Sequence, residues 1–299
     1  MEISKSFQEI LSQPVYAKSS LSVLTLKGSD ARDFLQRIVT VDMKTVQEKG
    51  HSLTNLLGIK GKIIAFFHIV LSDQGFWLLV DSAVKEVVIR TLEAYIITED
   101  IALVEHAQWS VFQAFGEKSR EVLEHTLSQT LSCSKGPQTK IPTYYLWGEE
   151  KELLIWFGAG SWMQLSESTA EDLRIFEGQP RWGQDVTGDH MPFEIPFLES
   201  FTSTTKGCYP GQETVSRLEG RGRNVAKKLF HVVVPMDSLQ SLPQVLLDQD
   251  DQEVGQITSL SSHEFKSGQL GLAWIHRKAF ESQVHTIKND QIIPVEVLS

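Results

Sequence analysis

The sequence predicts an α+β fold that ends in a separate β-barrel. Up to about residue 227, short strands with alternating apolar residues are mixed with amphipathic helices. Beyond Lys228 the helical patterns stop, and short strand candidates follow one another. Mixed strand and helix order is typical of α+β layers, and successive short strands are typical of a small barrel. We therefore expect one region over residues 1–227 and a barrel domain over residues 228–299.

The first part of the chain predicts a strand, a helix, a hairpin and a second helix. Residues 21–26 alternate well enough for a strand, and the following Gly-Ser-Asp supplies a turn and an N-cap for a helix over residues 31–38. Apolar runs at residues 63–71 and 75–80 flank a polar turn, which favours a hairpin. Residues 83–95 then have the apolar spacing of an amphipathic helix.

A second round of strands and helices follows. We predict strands over residues 101–104, 109–115, 143–147 and 153–157, and a helix near residues 119–127. Residues 134–140 have the composition of a loop, and residues 178–197 form a long irregular stretch rich in Gly, Pro and Trp. The barrel strands are predicted over residues 229–234, 244–247, 254–259, 269–275 and 291–298.

Charge, cysteine content and hydropathy exclude several kinds of protein. There are 28 Lys and Arg residues against 38 Asp and Glu residues, and the resulting net charge of −10 disfavours direct nucleic-acid binding. The two cysteines, Cys133 and Cys208, make a disulfide framework or structural zinc improbable. They also cannot supply the four thiolates that a resident four-iron cluster draws from its protein. The start of the chain lacks a leader pattern, and no run approaches a membrane span of about 18 apolar residues, so we expect a cytoplasmic protein without membrane partners.

The densest chemical feature is the segment from Lys206 to Arg217, Lys-Gly-Cys-Tyr-Pro-Gly-Gln-Glu-Thr-Val-Ser-Arg. Pro210 suits the first turn of a helix and Gly207 permits close backbone approach, so we place Cys208 just before a short helix. The helix N-terminus and Lys206 would then favour the thiolate. Cys208 is therefore a candidate nucleophile, redox-sensitive thiol or transient metal ligand, while an isolated cysteine is also common as a small buried hydrophobe.

Four stretches of sequence carry a family resemblance. Residues 206–217 resemble the KGCYxGQE motif of the YgfZ family, which is folate-binding and aminomethyltransferase-like, and residues 174–185 with 191–194 resemble its R-x-E-A-G-x-P-x-x-G-x-D and P-x-E blocks. Residues 28–42 resemble the family's opening block. Residues 254–259 and 271–274 are similar to paired barrel strands of the aminomethyltransferase superfamily.

The resemblance implies a three-lobed ring of two mixed α/β lobes and a C-terminal β-barrel around a cleft for tetrahydrofolate. It also implies partners that are iron–sulfur enzymes or their assembly proteins, and an indirect link to tRNA modification. The alternatives are a folate-dependent one-carbon transferase and a non-catalytic folate-binding or docking module. Cys208 is the implied catalytic residue, and the implied cofactor-binding residues are Glu177, Trp182, Asp185, Lys206, Tyr209, Gln212 and Arg217.

Some of these residues also have ordinary structural interpretations. Trp182 can stack on a pterin ring or fill a packing gap. Asp185 and Asp189 can bind an amino-pyrimidine edge or cap turns. The basic stretch from Arg217 to Lys228 suits either a carboxylate or phosphate ligand or a solvated linker.

Two departures from the family pattern affect the chemistry. Aminomethyltransferases carry adjacent aspartates where this chain has Ala65 and Phe66, and loss of a catalytic carboxylate removes orders of magnitude in rate. The glutamate that contacts the pterin in relatives aligns with Phe176, and Glu177 lies one position later. We expect a local shift that lets Glu177 take that place.

Overall fold

The computed structural model describes residues 5–126, 132–136, 139–239, 241–265, 268–288 and 291–298. Its elements up to residue 126 are α1 (Lys5–Ile10), β1 (Val15–Lys18), β2 (Leu21–Lys27), α2 (Ala31–Ile38), α3 (Met43–Lys49), β3 (His51–Leu57), β4 (Ile63–Ser72), β5 (Gly75–Asp81), α4 (Lys85–Tyr95), β6 (Ala102–Glu105), β7 (Trp109–Phe115) and α5 (Gly116–Thr126). The elements that follow, up to the start of the barrel, are β8 (Ser132–Lys135), β9 (Thr143–Glu149), α6 (Glu150–Ala159), β10 (Met163–Gln164), α7 (Glu167–Glu177), α8 (Pro196–Glu199) and α9 (Gln212–Gly220). The barrel strands are β11 (Lys227–Val234), β12 (Gln244–Leu247), β13 (Glu253–Phe265), β14 (Gly268–His276), β15 (Val284–Lys288) and β16 (Gln291–Leu298), and single 3-10 turns lie at Pro192–Glu194 and Arg277–Ala279.

The first lobe is an antiparallel sheet in the order β3-β4-β5-β2-β6. The predicted hairpin is present, because β4 and β5 pair antiparallel across the turn between Ser72 and Gly75. The helix α2 covers the sheet with Phe34, Leu35 and Ile38, which belong to a core shared with strand residues such as Leu78. The spacing of those three residues places them on one face of the helix, which is why the segment folds as the sequence predicts.

The second lobe is a sheet in the order β10-β1-β7-β9-β8, in which β1 pairs parallel with β10 and antiparallel with β7. The helices α5 and α6 pack on it around Leu123, Leu153 and Phe157. Because β1 lies near the chain start, residues before the first lobe are part of the second. The two lobes are therefore interleaved in sequence.

The C-terminal strands close into a barrel in the order β11-β14-β13-β12-β15-β16, with β16 returning to β11. Its interior is filled by aliphatic side chains including Val232, Val254 and Ile275. Closure pairs both edges of the sheet and so removes exposed strand edges. The predicted α+β fold with a C-terminal β-barrel is confirmed, and all five predicted barrel strands are present.

The predicted strand over residues 153–157 is wrong, because this run lies inside α6. Leu153 and Phe157 are buried four positions apart, whereas Leu154 and Ile155 between them are exposed. That is the spacing of one helix face, and Glu150 in the first turn suits the positive helix end. An apolar run of this length does not by itself distinguish a strand from a helix.

The loop predicted over residues 134–140 is partly wrong. Ser134 and Lys135 belong to β8, which pairs antiparallel with β9, and residues 137–138 lie outside the described residues. The predicted helix near residues 119–127 is α5, although residue 127 also lies outside the described residues. The irregular stretch over residues 178–197 is confirmed, apart from one 3-10 turn and the start of α8.

Candidate functional site

A cleft of about 390 Å³ lies between the two lobes and α7, and we call it the central cleft. The first lobe contributes side chains from β3 and β4, the second lobe contributes side chains from β1, β7 and β9, and α7 with the residues after it closes one side. The lining side chains include Lys18, Phe66, His68, Phe115, Tyr145, Arg174, Glu177 and Arg181. Aromatic rings form much of the wall, and acidic and basic groups stand among them.

Glu177 is the last residue of α7 and lines the central cleft. Ser166 caps the N-terminus of the helix, where its side chain accepts a hydrogen bond from the Thr169 amide, and Gly178 caps the C-terminus with a left-handed φ of 71°. The Glu177 carboxylate accepts hydrogen bonds from the backbone amides of Ile141, at 2.7 Å, and Lys140, at 2.8 Å. One bond goes to each oxygen, so the group is held in one orientation by the second lobe.

The Glu177 carboxylate keeps hydrogen-bonding capacity toward the cleft. Each carboxylate oxygen can accept two hydrogen bonds, so each retains a free lone pair after binding one backbone amide. Burial raises the pKa of Glu177, while the amides of Lys140 and Ile141 and the charge of Lys140 oppose that rise. An oriented, partly buried acceptor of this kind suits a planar ligand that presents two N–H donors side by side.

Phe176 points away from the cleft. Its ring is almost fully buried and stacks on Phe265 of the barrel, with 5.8 Å between ring centroids. Consecutive helical side chains point about 100° apart, so the residue that faces the cleft at this end of α7 is Glu177. Glu177 therefore lies where the expected one-residue shift would need it, and its contact with a pterin stays a prediction.

Asp185 ties α7 and the following loop to the barrel. One carboxylate oxygen accepts hydrogen bonds from Thr258 and Ser259, each at 2.6 Å. The other accepts from the Arg174 guanidinium at 2.8 Å and from the Arg181 amide at 2.9 Å. These four bonds use the acceptor sites of the carboxylate, and Asp185 does not line the central cleft.

Trp182 lies between the lobes and has a packing role. Its partly buried side chain contacts both the core of the first lobe and the core that joins the three lobes. Its ring is tilted against Phe66, with 6.4 Å between centroids. Phe66 lines the cleft while Trp182 does not, so at this position a ligand would meet the Phe66 ring.

Lys206 fastens its loop to the first lobe. Its ammonium group donates to the backbone carbonyls of Gln36, at 2.7 Å, Val39, and Val41, at 2.9 Å. These bonds use all three ammonium hydrogens at the C-terminal end of α2. Burial lowers the pKa of Lys206 to about 8, against the opposing charge of Asp42. Lys206 is therefore engaged with backbone carbonyls, and not with a thiolate or a ligand.

Other side chains of the same segment hold it in shape. The Tyr209 hydroxyl donates to the Ser203 carbonyl at 2.6 Å, and the Gln212 amide donates to the Lys206 carbonyl at 3.0 Å. Arg217 is exposed on α9 and pairs with Glu213 at 2.7 Å. None of these residues is among the described residues that line the central cleft.

Cys208 is exposed on the loop before α9, outside the central cleft. The helix begins at Gln212, so the predicted place of Pro210 in its first turn is wrong. The glycine that permits close approach is Gly211, because a Cβ there would lie 2.5 Å from the Gly58 carbonyl oxygen. A Cβ added at Gly207 would meet nothing within 4 Å.

The second cysteine, Cys133, lies in β8 and is partly buried. Burial raises the pKa of its thiol to about 12, so it stays protonated at neutral pH. Among the described residues, no group of three or more His, Cys, Asp or Glu side chains is arranged to hold a metal ion. None of the helices in the described part of the chain is long and apolar enough to cross a membrane.

His68 and Tyr145, which were not predicted as site residues, both line the central cleft. The His68 ring lies 4.4 Å from that of Tyr145, and it is hydrogen-bonded to His51 at 3.0 Å. Both histidines lie on strands with few exposed residues, β3 and β4. The closest available signal was a histidine in the predicted strand over residues 63–71, but β3 was not predicted.

Comparison with known protein sequences gives three findings. The model of the GCVT N-terminal domain matches residues 14–149. A Haemophilus influenzae protein named only as uncharacterized is 26% identical over 247 residues, which are 79% of this chain and 80% of that protein. The tRNA-modifying protein YgfZ of Vibrio atlanticus is 24% identical over 214 residues, which are 69% of this chain and 65% of that protein. These matches support a YgfZ family assignment.

The YgfZ resemblance inferred from the sequence motifs is thus confirmed. The crystal structure of glycine cleavage system aminomethyltransferase T from Bartonella henselae superposes with a TM-score of 0.82, covering 96% of this chain and 85% of that one. At 16% identity this match shows the aminomethyltransferase-like fold alone. The fold and the family resemblance therefore rest on separate observations, one on three-dimensional structure and one on sequence.

Proposed function

We propose that this chain binds tetrahydrofolate in the central cleft and supports tRNA modification indirectly, by helping to mature or maintain iron–sulfur enzymes. The observation that carries the folate proposal is the Glu177 carboxylate, which is fixed by two backbone amides and keeps acceptor capacity toward the cleft. The relatives named YgfZ are described as tRNA-modifying proteins. The net charge of −10 argues that any link of this chain to tRNA is indirect.

The residues of the cleft fit a reduced pterin in size and chemistry. Ligand pockets usually have volumes of about 300–1,000 Å³ and combine apolar walls with a few placed polar groups, and the cleft has about 390 Å³. Glu177 would hold the pterin through its amino group and an adjacent ring N–H. Phe66 and Phe115 offer apolar ring faces on either side of the lobe boundary. The cofactor would supply a carrier for one-carbon units when bound.

Basic groups at the cleft suit the anionic end of a folate. Lys18 is exposed and pairs with Glu150, and Arg181 is partly exposed and pairs with Glu171. Both residues line the cleft. Both side chains of the Lys18–Glu150 pair are largely exposed, and exposed pairs are worth little, so a ligand carboxylate can replace Glu150 at small cost.

The observed side chains oppose an aminomethyl transfer reaction at this site. Ala65 is fully buried in the core of the first lobe, and Phe66 presents a phenyl ring to the cleft. Neither residue can take up or release a proton where aminomethyltransferases carry aspartates. The proposal is therefore folate binding without that transfer.

We infer that Cys208 acts on a protein partner and not on the ligand in the cleft. The thiol is exposed, and Cys208 does not line the cleft. A four-iron cluster needs about four thiolates, so a cluster that reached Cys208 would be shared with the partner that supplies the others. Nucleophilic, redox and transient-ligand roles for this thiol all require such exposure.

Calorimetric titration of the reduced protein with tetrahydrofolate tests the cleft. Glu177→Ala removes a charge-assisted contact worth about 1.5–3 kcal/mol, so we expect about 10- to 100-fold weaker binding. Two controls should bind tetrahydrofolate like the wild type. Glu152→Ala removes an exposed carboxylate from α6, and Cys208→Ser changes an exposed residue outside the cleft. Equal affinity of Glu177→Ala and wild type, with both proteins folded, would overturn the proposed role of Glu177.

A cellular experiment tests the proposed support of tRNA modification and the role of Cys208 in it. Wild type and Cys208→Ser would be expressed in a bacterium that lacks its own YgfZ protein, and methylthiolated tRNA nucleosides would be measured by mass spectrometry. We expect the wild type to restore them and Cys208→Ser to fail although it still binds tetrahydrofolate. Full restoration by Cys208→Ser would assign the cysteine a structural role and favour the docking-module alternative.

A further inference from the structure

Two buried histidines lie behind the central cleft and are hydrogen-bonded to each other. His51 is on β3 and His68 is on the neighbouring strand β4, and 3.0 Å separates His51 Nε2 from His68 Nδ1. The side chains are only 6% and 2% exposed. A hydrogen bond between two neutral imidazoles contains one hydrogen, so the tautomer of one ring determines the tautomer of the other.

Together with Ser134, the pair connects the cleft to the protein surface. At the inner end, His68 lines the cleft, and its Nε2 has no hydrogen-bond partner among the described residues. At the outer end, His51 Nδ1 lies 2.9 Å from the hydroxyl of Ser134 on β8 of the second lobe. Ser134 is partly exposed. The hydrogen-bonded order is therefore cleft, His68, His51, Ser134 and solvent.

The surroundings disfavour a positive charge on either ring. Burial lowers the pKa of His51 to about 4, against a backbone hydrogen bond at Lys135. Burial and then the charge of His51 lower the pKa of His68 well below its usual value. The ring that packs against His68 is that of Tyr145. Burial raises the pKa of Tyr145 to about 12, and the negative charge of Glu177 contributes to that rise. No carboxylate is hydrogen-bonded to either histidine in the described part of the chain.

We propose that His68, His51 and Ser134 form a proton relay between the central cleft and solvent, in which His68 exchanges a proton with a bound ligand that carries an N–H group. The inference requires that the cleft bind such a ligand. The tetrahydrofolate of the proposed function is one, but another N–H heterocycle or amine would serve equally. His68 is the catalytic residue of this relay because it faces the ligand, and His51 is a positioning residue that acts through it.

The relay moves a proton without creating a buried cation. A ligand N–H gives its proton to His68 Nε2, and the proton on His68 Nδ1 passes to His51 Nε2. The proton on His51 Nδ1 then passes to the Ser134 hydroxyl oxygen, and the hydroxyl proton of Ser134 passes to water. The ligand loses one proton and water gains one, while both imidazoles stay neutral and exchange tautomers. The reverse sequence delivers a proton from water to the ligand.

Nitrogen-15 NMR of histidine-labelled protein tests the relay, because ring nitrogens with and without a hydrogen have widely separated shifts. His51→Gln and His68→Gln assign the signals. We expect both rings to be neutral at pH 7, with a protonated nitrogen on only one side of their mutual hydrogen bond. Ser134→Ala should change the tautomer populations of both rings, whereas Ser132→Ala on the same face of β8 should change neither.

Three outcomes would overturn the relay: an imidazolium signal from either ring at pH 7, a Ser134→Ala effect confined to His51, or no effect of Ser134→Ala. These measurements need no ligand, so they stand even where tetrahydrofolate fails to bind and the proposed function fails. Where tetrahydrofolate binds, its addition should shift the tautomers of both rings together. Binding that leaves both rings unchanged, or changes only one, would also overturn the relay.

Discussion

The carboxylate of Asp185 is expected to stabilise the fold rather than to bind a ligand, and Asp185→Asn distinguishes the two roles. Its side chain is fully buried and pairs with the nearly buried guanidinium of Arg174 at 2.8 Å. An asparagine can keep the bonds from Thr258 and Ser259 only by turning its NH₂ group toward Arg174 and the Arg181 amide, which are donors. The substitution thus breaks the ion pair and opposes donor to donor.

Breaking a buried ion pair by removing one partner costs about 3–5 kcal/mol. Glu171 also pairs with Arg174, at 2.7 Å, and would compensate part of the unpaired charge. We therefore expect a loss of unfolding free energy near the lower end of that range. The assay is urea denaturation followed by tryptophan fluorescence, read as a shift of the midpoint at constant slope. The matched control is Asp189→Asn, because Asp189 is exposed and pairs with Lys62 on the surface, so it should leave the midpoint unchanged.

The result that refutes this reasoning is an Asp185→Asn protein with the wild-type midpoint. Wild-type stability combined with weaker tetrahydrofolate binding would show instead that Asp185 contacts the ligand, as the family resemblance implies. A lower midpoint for both aspartate variants would show that the loop is sensitive to any loss of charge. In that case the buried ion pair would not be the cause.

Three further expectations follow from the same structure. Gly211→Ala should cost more than about 2 kcal/mol of unfolding free energy, because Gly211 has a φ of 79° and lies against Gly58. The control Gly207→Ala should leave the unfolding free energy unchanged, and equal denaturation midpoints of the two variants would contradict this. Lys206→Met should cost about 1–3 kcal/mol by leaving buried carbonyls without a donor, and a thermally unshifted variant would show that those carbonyls find water. Burial lowers the pKa of both His51 and His190 to about 4 in the folded chain, so the unfolded chain binds more protons between about pH 4 and 6.5. The contribution of these groups to stability should therefore be complete above that window and should be lost as the pH falls through it. A urea midpoint that stays constant across the window would contradict this.

Local pattern accounts for the elements that were predicted correctly. The strand Trp109–Phe115, the helix Ala31–Ile38 and the strand Gln244–Leu247 match their predicted bounds. In the helix over Ala31–Ile38, the buried residues Ala31, Phe34, Leu35 and Ile38 lie on one face. Such spacing depends on neighbours in sequence and can be read from the chain alone.

Elements whose polar residues are buried could not be predicted in this way. The strand β3 is buried along its whole length although it contains His51, Thr54 and Asn55. Asn55 donates to Thr202, and the Thr54 hydroxyl accepts from the Val41 amide. Their partners come from other parts of the chain, so a polar side chain that looks solvent-exposed in sequence becomes a buried, hydrogen-bonded one in the fold.

The sequence by itself predicted the mixed lobes, the barrel and the family resemblance, and it named Glu177 as a candidate contact to a ligand. Only the tertiary structure decided that Glu177 faces the cleft while Phe176 faces the core, that Asp185 and Lys206 are engaged in structural bonds, and that Cys208 lies outside the cleft. Hydrophobic periodicity is a local property of the chain. The position of a side chain in a cleft depends instead on which distant strands and carbonyls pack against it, and periodicity carries no information about those partners.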